Sequence, residues 1–445
     1  MREFYKKLFE SADELRKNID AAEYKHVVLG IVFLKFVSDK FNIIFLELKK
    51  DKLADPEDPD EYLAKNVFYL PRKSRWNYIV ENARQPNIGN IIDDALKKIE
   101  ENNDSLRDVL PIVFSRSNLD QASLGKLIDL FNNIRESEIS IDREDLFGEI
   151  YEYFLGQFAI KEGKKGGQYF TPRTLVTLMV EILKPTKGRF FDPACGSGGM
   201  FVNCESFIKN KNLQFNDISI YGQESNQTTW KLCKMNLAIR GIDSTNVLWN
   251  ADGSFLNDAH PNLKADFIIA NPPFNDKKWG APRLSNDARF IFGIPSNENA
   301  NFAWVQHFIF HLNDNGKAAF ILGRSSISSE RTDRTIREQI LKSGIVDAIF
   351  VLPSNMFYNT QVPAAIWIID KSKIKRKNKT KNEIFLMDLR GYGRLISSTL
   401  RVFDNKDINE IVKNYDVWIK NKNYFDRDYL CKSVTIEEIQ NKNYN

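Results

Sequence analysis

Near the middle of the chain an apolar run, Ala265-Asp266-Phe267-Ile268-Ile269-Ala270, passes directly into Asn271-Pro272-Pro273-Phe274. A buried strand that ends in an amide, two prolines and an aromatic ring makes an unusual turn. Proline fixes its own φ and restricts the residue before it, so Pro272 constrains Asn271 and Pro273 constrains Pro272. The side-chain oxygen of Asn271 and the carbonyl of Pro272 are thereby aimed rigidly, with the flat face of Phe274 beside them. Two fixed acceptors and an aromatic face suit one chemical problem. The exocyclic amine of adenine is a poor nucleophile because its lone pair is delocalised into the ring. Acceptors on its two N–H bonds draw the nitrogen toward tetrahedral geometry and stabilise the positive charge that develops as a methyl group arrives. Positioning in line with a sulfonium donor does much of the rest, without a nucleophilic Cys or a strong general base. A duplex hides this amine, so the base must be flipped out and stacked on an aromatic ring. Taken alone, the same four residues are also compatible with a rigid proline turn.

Three further elements precede the turn. Asp192-Pro193-Ala194-Cys195-Gly196-Ser197-Gly198-Gly199 follows an apolar run and opens a helical segment. In an open α/β sheet this is where the first strand meets a ligand. Gly196 and Gly198 let the backbone approach a bound molecule and take positive φ, Ala194 and Ser197 complete the loop, and Asp192 supplies a carboxylate for an ammonium group. The loop is neither a Gly-x-Gly-x-x-Gly fingerprint nor a P-loop, since Gly-x-x-x-x-Gly-Lys-Ser/Thr occurs nowhere in the chain. Glu224, at the end of the next apolar run, stands where an acidic residue can grip ribose hydroxyls. Asp252, in Asn250-Ala251-Asp252-Gly253, could accept the amino group of a cofactor's adenine ring. Each has a plainer reading: a tight strand-to-helix turn, an exposed strand end, an Asp-Gly turn. Their succession at the ends of consecutive strands, closing on Asn271, makes those readings inadequate. Together they specify S-adenosylmethionine as cofactor, with no metal.

These residues need a sheet to position them. Short apolar runs at residues 189–191, 218–222, 246–249, 265–270, 317–322, 345–351, 364–369 and 384–387 alternate with helical segments at 200–209, 228–240, 302–312 and 332–341. That alternation predicts an α/β domain with a mostly parallel, doubly wound sheet. The last runs have no long helix between them, so an antiparallel strand is expected at an edge. Before this region, residues 1–155 read as helical: Phe9, Ala12, Leu15, Ile19 and Ala22 fall at helical spacing, and residues 27–45 continue with only Gly30 as an interruption. Residues 163–167, Gly-Lys-Lys-Gly-Gly, read as a connector. The predicted domains are a helical one over 1–155, a catalytic one over 156–395 and a helical C-terminal segment over 396–445. A basic run at 371–381 between two strands reads as a solvated loop or as a contact for DNA phosphates.

Composition sets the bounds. The 445 residues are 42% hydrophobic and 27% charged, with a net charge of +4. Such a chain can bury a full core, and its bulk charge does not mark a nucleic-acid binder. The four cysteines, Cys195, Cys204, Cys233 and Cys431, form no Cys-x-x-Cys pair and no zinc-finger spacing with His. The N-terminus lacks the apolar stretch of a signal peptide, and its longest early apolar run is too short to cross a bilayer. No membrane association and a cytoplasmic location are expected.

The Asp-Pro-x-x-Gly-Ser-Gly loop followed by Asn-Pro-Pro-Phe resembles the amino-methyltransferases of DNA. Three more stretches narrow the resemblance to the modification subunit of type I restriction–modification systems: residues 20–30 with Phe33-Leu34-Lys35-Phe36, then Gly167-Gln168-Tyr169-Phe170-Thr171-Pro172, then residues 352–360. The resemblance covers nearly the whole chain. It implies that Tyr169, Thr171 and Pro172 lie over the cofactor's methionine end, that Phe357 helps Phe274 hold the flipped base, and that Asn301 lines the cofactor cleft. The family usually has Glu-Phe-Tyr where this chain has Gln168-Tyr169-Phe170, so no role passes to Gln168. The implied activity is adenine-N6 methylation of double-stranded DNA. The implied partners are a specificity subunit that reads the sequence, a second copy of this chain, and a restriction subunit that carries ATP-driven translocation. No inserted target-recognition region lies between the motifs, in keeping with that division. Family members commonly run on past the equivalent of Asn445, and residues 396–445 are expected to touch partner subunits. Cytosine-N4 methylation, or methylation of protein or RNA by the same turn, are the alternative readings. A subunit that binds without reacting is a further one, against which the intact Asp192, Glu224, Asn271 and Phe274 argue.

Overall fold

The computed structural model describes residues 2–17, 19–134, 143–162, 170–213, 217–328, 332–358, 362–397, 400–421 and 424–442. The chain divides into two compact units, residues 1–166 with 231–245, and residues 167–230 with 246–445. The connector at 163–167, together with Gln168, Tyr169, Asn359 and Thr360, lies outside the described residues.

The first unit is helical: α1 (Arg2–Glu14), α2 (Ala21–Leu48), α3 (Pro59–Leu63), α4 (Trp76–Glu81), α5 (Ile88–Glu101), α6 (Gln121–Asn132) and α7 (Arg143–Lys161). Helix α2 starts at Asp20, whose side chain accepts from the N–H of Ala22 at 2.8 Å, satisfying one of the orphan donors of a helix start. Its middle is buried on every side from Val27 to Leu34, which explains its nearly unbroken apolar sequence. Gly30 marks a close approach. A Cβ there would lie 2.8 Å from Pro111 and 2.9 Å from Phe114, so the apparent weak point of the helix is where the rest of the unit packs on it.

The second unit carries α8 (Arg173–Leu183), β1 (Gly188–Asp192), α9 (Gly199–Asn210) and β2 (Ile218–Glu224). Helix α10 (Gln227–Ile239) leads to β3 (Val247–Trp249), α11 (Gly253–Leu256), β4 (Ala265–Ala270) and α12 (Asn301–His311). Then come β5 (Leu312–Gly323), α13 (Ser325–Ser328), α14 (Thr332–Lys342), β6 (Val346–Val351), β7 (Ala364–Asp370) and β8 (Glu383–Asp388). The chain closes with a ribbon of β9 (Arg394–Leu395) and β10 (Arg401–Val402), then α15 (Asn405–Ile419), β11 (Cys431–Thr435) and α16 (Ile436–Asn441). Nine strands form one sheet in the order β11-β8-β6-β7-β5-β4-β1-β2-β3. The pairings β4/β1, β1/β2, β2/β3, β4/β5 and β6/β8 are parallel, so all eight apolar runs of the sequence are strands. Chain order runs outward from β1 in one direction through β2 and β3, and in the other through β4 and β5. The crevice at the carboxyl ends of β1 and β4 is therefore the topological switch point, where open α/β sheets bind ligands.

Two features depart from expectation. Strand β7 is antiparallel, but it sits inside the sheet between β5 and β6. Residues 352–363 join β6 to β7, and the described ones among them contain no helix, whereas a parallel return usually runs through one. The antiparallel strand at the edge is β11, which the C-terminal segment adds beside β8. The basic run behaves neither as a wholly solvated loop nor as a free phosphate contact. Lys375, Lys377, Lys379 and Lys381 are exposed, but Lys373 is buried. Lys373 donates to the carbonyls of Val346 and Glu383. Arg376 forks onto Asp347 at 2.7 and 2.9 Å and reaches Asp370 at 2.7 Å. Both carboxylates are buried, at the start of β6 and the end of antiparallel β7, the end of the sheet opposite the switch point. The run is a clamp on the sheet, completed by Tyr415, whose hydroxyl donates to Asp347 at 2.5 Å. Among the described residues no helix is long and apolar enough to cross a membrane, and no disulfide joins the four cysteines, all of them buried.

Candidate active site

Strand β1 ends on Asp192, aligned with Gly222 of β2. The loop that follows turns back on itself. The N–H of Ala194 donates to Asp192 Oδ1 at 3.0 Å, and Gly198 N–H reaches the Cys195 carbonyl at 2.9 Å. Gly196 and Gly198 have φ of 54° and 82°, the left-handed region where a side chain would be strained. Glu224 closes the end of β2 against this loop. Its Oε2 accepts from Gly196 N–H at 3.0 Å and its Oε1 from Asn226 N–H at 2.8 Å. The Cys195 N–H meets the Gln223 carbonyl at 3.1 Å. The glycine loop is thus held to the second strand by its own amides, and Glu224 is fixed by both oxygens.

Both carboxylates are buried. Burial pushes the Asp192 carboxyl up to about 8, with the Ala194 amide opposing and the Glu224 charge adding. Burial also raises Glu224, against the lowering pull of the amides of Asn226 and Gly196. Among the described residues, no cation ranks among the main causes of either shift. Two buried acids without a cation make a pocket that gains from a ligand bringing positive charge and hydroxyl donors, which is what the ammonium and ribose of S-adenosylmethionine offer. Ser197 is buried in the same loop and Ala194 half-buried.

Asp252 follows β3 and caps α11, with its own N–H donating to Asn250 Oδ1 at 3.1 Å. Its carboxylate is exposed, while Asn250 is tied by its N–H to the Glu224 carbonyl at 3.0 Å. Ser254 Oγ donates to the Pro193 carbonyl at 2.5 Å, so α11 is hydrogen-bonded to the glycine loop.

Strand β4 delivers Asn271 beside β1. The Asn271 amide Nδ2 donates to Thr171 Oγ1 at 3.0 Å. Its Oδ1 is buried and has no hydrogen-bond partner among the described residues. Pro272 is buried and Pro273 half-buried behind it. The turn then swings through Asn275 at φ 53°, a conformation asparagine tolerates better than most residues. A polar clamp holds it there. Asn275 N–H donates to Asn301 Oδ1 at 2.9 Å, and Asn301 Nδ2 donates to Asn275 Oδ1 at 2.9 Å and to Ser325 Oγ at 3.3 Å. Phe274 meets Phe357 edge to face, with ring centroids 5.4 Å apart at 79°. Phe170, next to Thr171 and Pro172 at the entry to α8, packs on Tyr358 at 5.5 Å.

Of the residues singled out in the sequence, Gly196 and Glu224 meet directly, Asp192 holds Ala194 of the same loop, Asp252 joins Glu224 through Asn250, and Phe274 meets Phe357. Thr171, expected over the cofactor, has its hydroxyl on Asn271. Asn301 grips the backbone after Asn-Pro-Pro-Phe. Tyr169 lies outside the described residues. The sequence reading missed Asn275 and Ser325. An asparagine directly after a rigid turn was the available signal for Asn275, and Ser325 had none.

A family profile described as N-6 DNA Methylase matches residues 142–445, and one described as HsdM N-terminal domain matches residues 4–131. The chain is similar to the type I restriction enzyme MjaIX methylase subunit of Methanocaldococcus jannaschii, at 36% identity over 99% of this chain and 82% of that protein. It is similar to the type I restriction enzyme HindI methylase subunit of Haemophilus influenzae, at 40% identity over 84% of this chain and 88% of that protein. In fold it matches the crystal structure of a type I restriction–modification methyltransferase subunit from Streptococcus thermophilus, with TM-score 0.83 and 22% identity, covering 100% of this chain and 98% of that one.

Proposed function

The chain belongs to the type I restriction enzyme methylase subunits, with an N-6 DNA methylase domain over residues 142–445, and on that premise we propose how its residues divide the work of methylating adenine N6 in double-stranded DNA. S-Adenosylmethionine supplies the methyl group on its sulfonium. Glu224, fixed at both oxygens by backbone amides, takes the ribose hydroxyls through the lone pairs that remain. Asp192 and the loop of Ala194, Gly196, Ser197 and Gly198 take the methionine end with Tyr169 and Pro172, and Asp252 takes the cofactor's adenine amine.

The observation that carries this reading is the unpartnered Oδ1 of Asn271. A buried acceptor without a donor costs about 1–3 kcal/mol, and such a cost persists where a ligand relieves it. Thr171 fixes the amide in place, and with Nδ2 on its hydroxyl the oxygen faces the base. Asn271 Oδ1 and the Pro272 carbonyl accept the two amine N–H groups, and Phe274 with Phe357 stacks on the flipped ring. Both acceptors are neutral, so they lower the barrier as charge develops and the surplus proton leaves to water. Adenine is favoured over cytosine N4 by the N-6 description of the matching family.

Sequence reading falls to a specificity subunit, and the working assembly adds a second copy of this chain and a restriction subunit, in the cytoplasm. To test the site, single-turnover methyl transfer is measured for Asn271→Ala in complex with its specificity subunit, beside a thermal melt and cofactor calorimetry. Retained folding and cofactor affinity with a rate lower by roughly 10²–10³-fold support the reading. A parental rate refutes it.

A further inference from the structure

Asp258, His307 and His311 bring ligand atoms within 4.8 Å of one another, and His307 and His311 stand one turn apart on α12. The group has the composition of a metal site, but Arg289 excludes that use. Arg289 Nη1 lies 3.2 Å from His307 Nδ1, and a guanidinium only donates. His307 Nδ1 is therefore an acceptor, so the imidazole proton sits on Nε2. Burial keeps this ring neutral, holding His307 well below its usual range. A protonated Nε2 does not ligate a metal.

The same guanidinium explains why the cluster exists. Arg289 is 7% exposed and uses every side of its fork. Nη1 also donates to the Ser254 carbonyl at 2.8 Å and Nη2 to the Phe255 carbonyl at 2.5 Å. Asp287 takes Nε and Nη2 at 2.8 and 2.7 Å, and Asp258 lies 3.8 Å away. On the other side, His311 joins Asp258 Oδ2 through Nε2 at 2.8 Å and the Leu263 carbonyl through Nδ1 at 3.0 Å. Ser254 and Phe255 belong to the four-residue α11, a helix too short to hold itself. Its N-terminal cap is Asp252, and its Ser254 latches Pro193 in the glycine loop. We propose that Arg289 is a positioning residue for the cofactor's adenine subsite: it fastens α11 to the rigid α12 and so sets where Asp252 stands. The inference rests on the assignment of Asp252 to the cofactor. Nothing in the methyl-transfer chemistry needs an arginine here, and Arg289 does not lie in any of the motifs at the strand ends.

Calorimetry with S-adenosylmethionine on the full chain tests it, with four variants and a urea melt of each. Arg289→Met should weaken cofactor binding about tenfold or more, as expected when a charged hydrogen bond at Asp252 is misplaced. Arg289→Lys, which keeps one cationic donor, should recover part of that loss. His307→Asn, whose amide oxygen can replace Nδ1 as acceptor, should bind within about twofold of the parent, twofold being near the limit such a titration resolves. Arg376→Met breaks a buried ion network of similar kind at the far end of the sheet and should lose stability with parental cofactor affinity. Parental affinity in Arg289→Met overturns the proposal. So does an equal loss of affinity in Arg376→Met, which would make the effect one of general stability. Asp252→Ala run alongside separates the layers. Weakened binding there with parental binding in Arg289→Met sinks only this inference, whereas parental binding in Asp252→Ala sinks the cofactor assignment beneath it.

Discussion

Thr171→Val removes one hydroxyl and keeps the side chain's shape, so it isolates the contact that orients Asn271. In the parent, Asn271 Nδ2 donates to Thr171 Oγ1 at 3.0 Å while Oδ1 stays open. A hydrogen bond of this kind is worth about 0.5–1.5 kcal/mol net. That is the energy with which Thr171 fixes the position and plane of the amide, a hydroxyl being able either to accept from Nδ2 or to donate to Oδ1, and its loss converts to a rate loss of roughly 2- to 10-fold. Asn271→Ala deletes the acceptor itself and should cost roughly 10²–10³-fold. The two losses should not multiply. Once Asn271 is alanine there is no amide to orient, so Thr171→Val in that background should change the rate by less than about twofold, within the usual error of such a cycle. Single-turnover transfer at saturating cofactor, on the complex with its specificity subunit, reads all four corners of the cycle. Additive losses would refute the orientation argument. If they came with weaker cofactor binding, Thr171 would serve the cofactor directly and not the amide.

The remaining predictions concern the cofactor pocket, the base and the clamp. Asp192 is pushed up to about 8 by burial, while in an unfolded chain an Asp releases its proton near about pH 4. Between those values the folded state holds the extra proton, so parental stability should fall as pH rises. Asp192→Asn should lose that slope, becoming more stable than the parent toward pH 8 and equal to it near about pH 4, with weakened cofactor affinity. Urea melts from pH 5 to 8.5 check this, and an unchanged slope contradicts it. Phe274→Ala should weaken capture of the flipped base by about 1–3 kcal/mol with the fold intact, read by fluorescence of 2-aminopurine at the target position. Asp347→Ala strands Arg376 and Lys373 without their buried carboxylate and should destabilise the chain by about 3–5 kcal/mol. Cofactor affinity measured in the same variant should stay parental.

What the sequence made legible was local. Strands β1 to β8 show as short apolar runs because most of them lie inside the sheet with both faces covered, and the Asn-Pro-Pro-Phe turn declares its rigidity through its own prolines. The glycine loop and Glu224 are likewise read at strand ends, where the fold puts ligands. What escaped was pairing across distance. Nothing local places β7 between β5 and β6, because that choice is made by the connection from β6 and the strands it meets. Four charges of the basic run are solvated as a charge run suggests, but Lys373 and Arg376 turn inward because Asp347 and Asp370 wait at the ends of β6 and β7. The bond from Asn271 to Thr171 spans 100 residues, and the clamp from Asn301 to Asn275 spans 26. Neither spacing carries a signature. Arg289 follows no motif, and its role appears only when α11 and α12 are seen on either side of it.

The central claim is that Asn271 accepts a hydrogen bond from the amine of a flipped adenine. The most direct test maps modified bases across host DNA after co-expression of the neighbouring specificity subunit with either the parent chain or Asn271→Ala. The account predicts N6-methyladenine at one recurring sequence with the parent, and none with a variant that still assembles and binds S-adenosylmethionine. The same adenine marks in both hosts, or marks on cytosine N4, would contradict it.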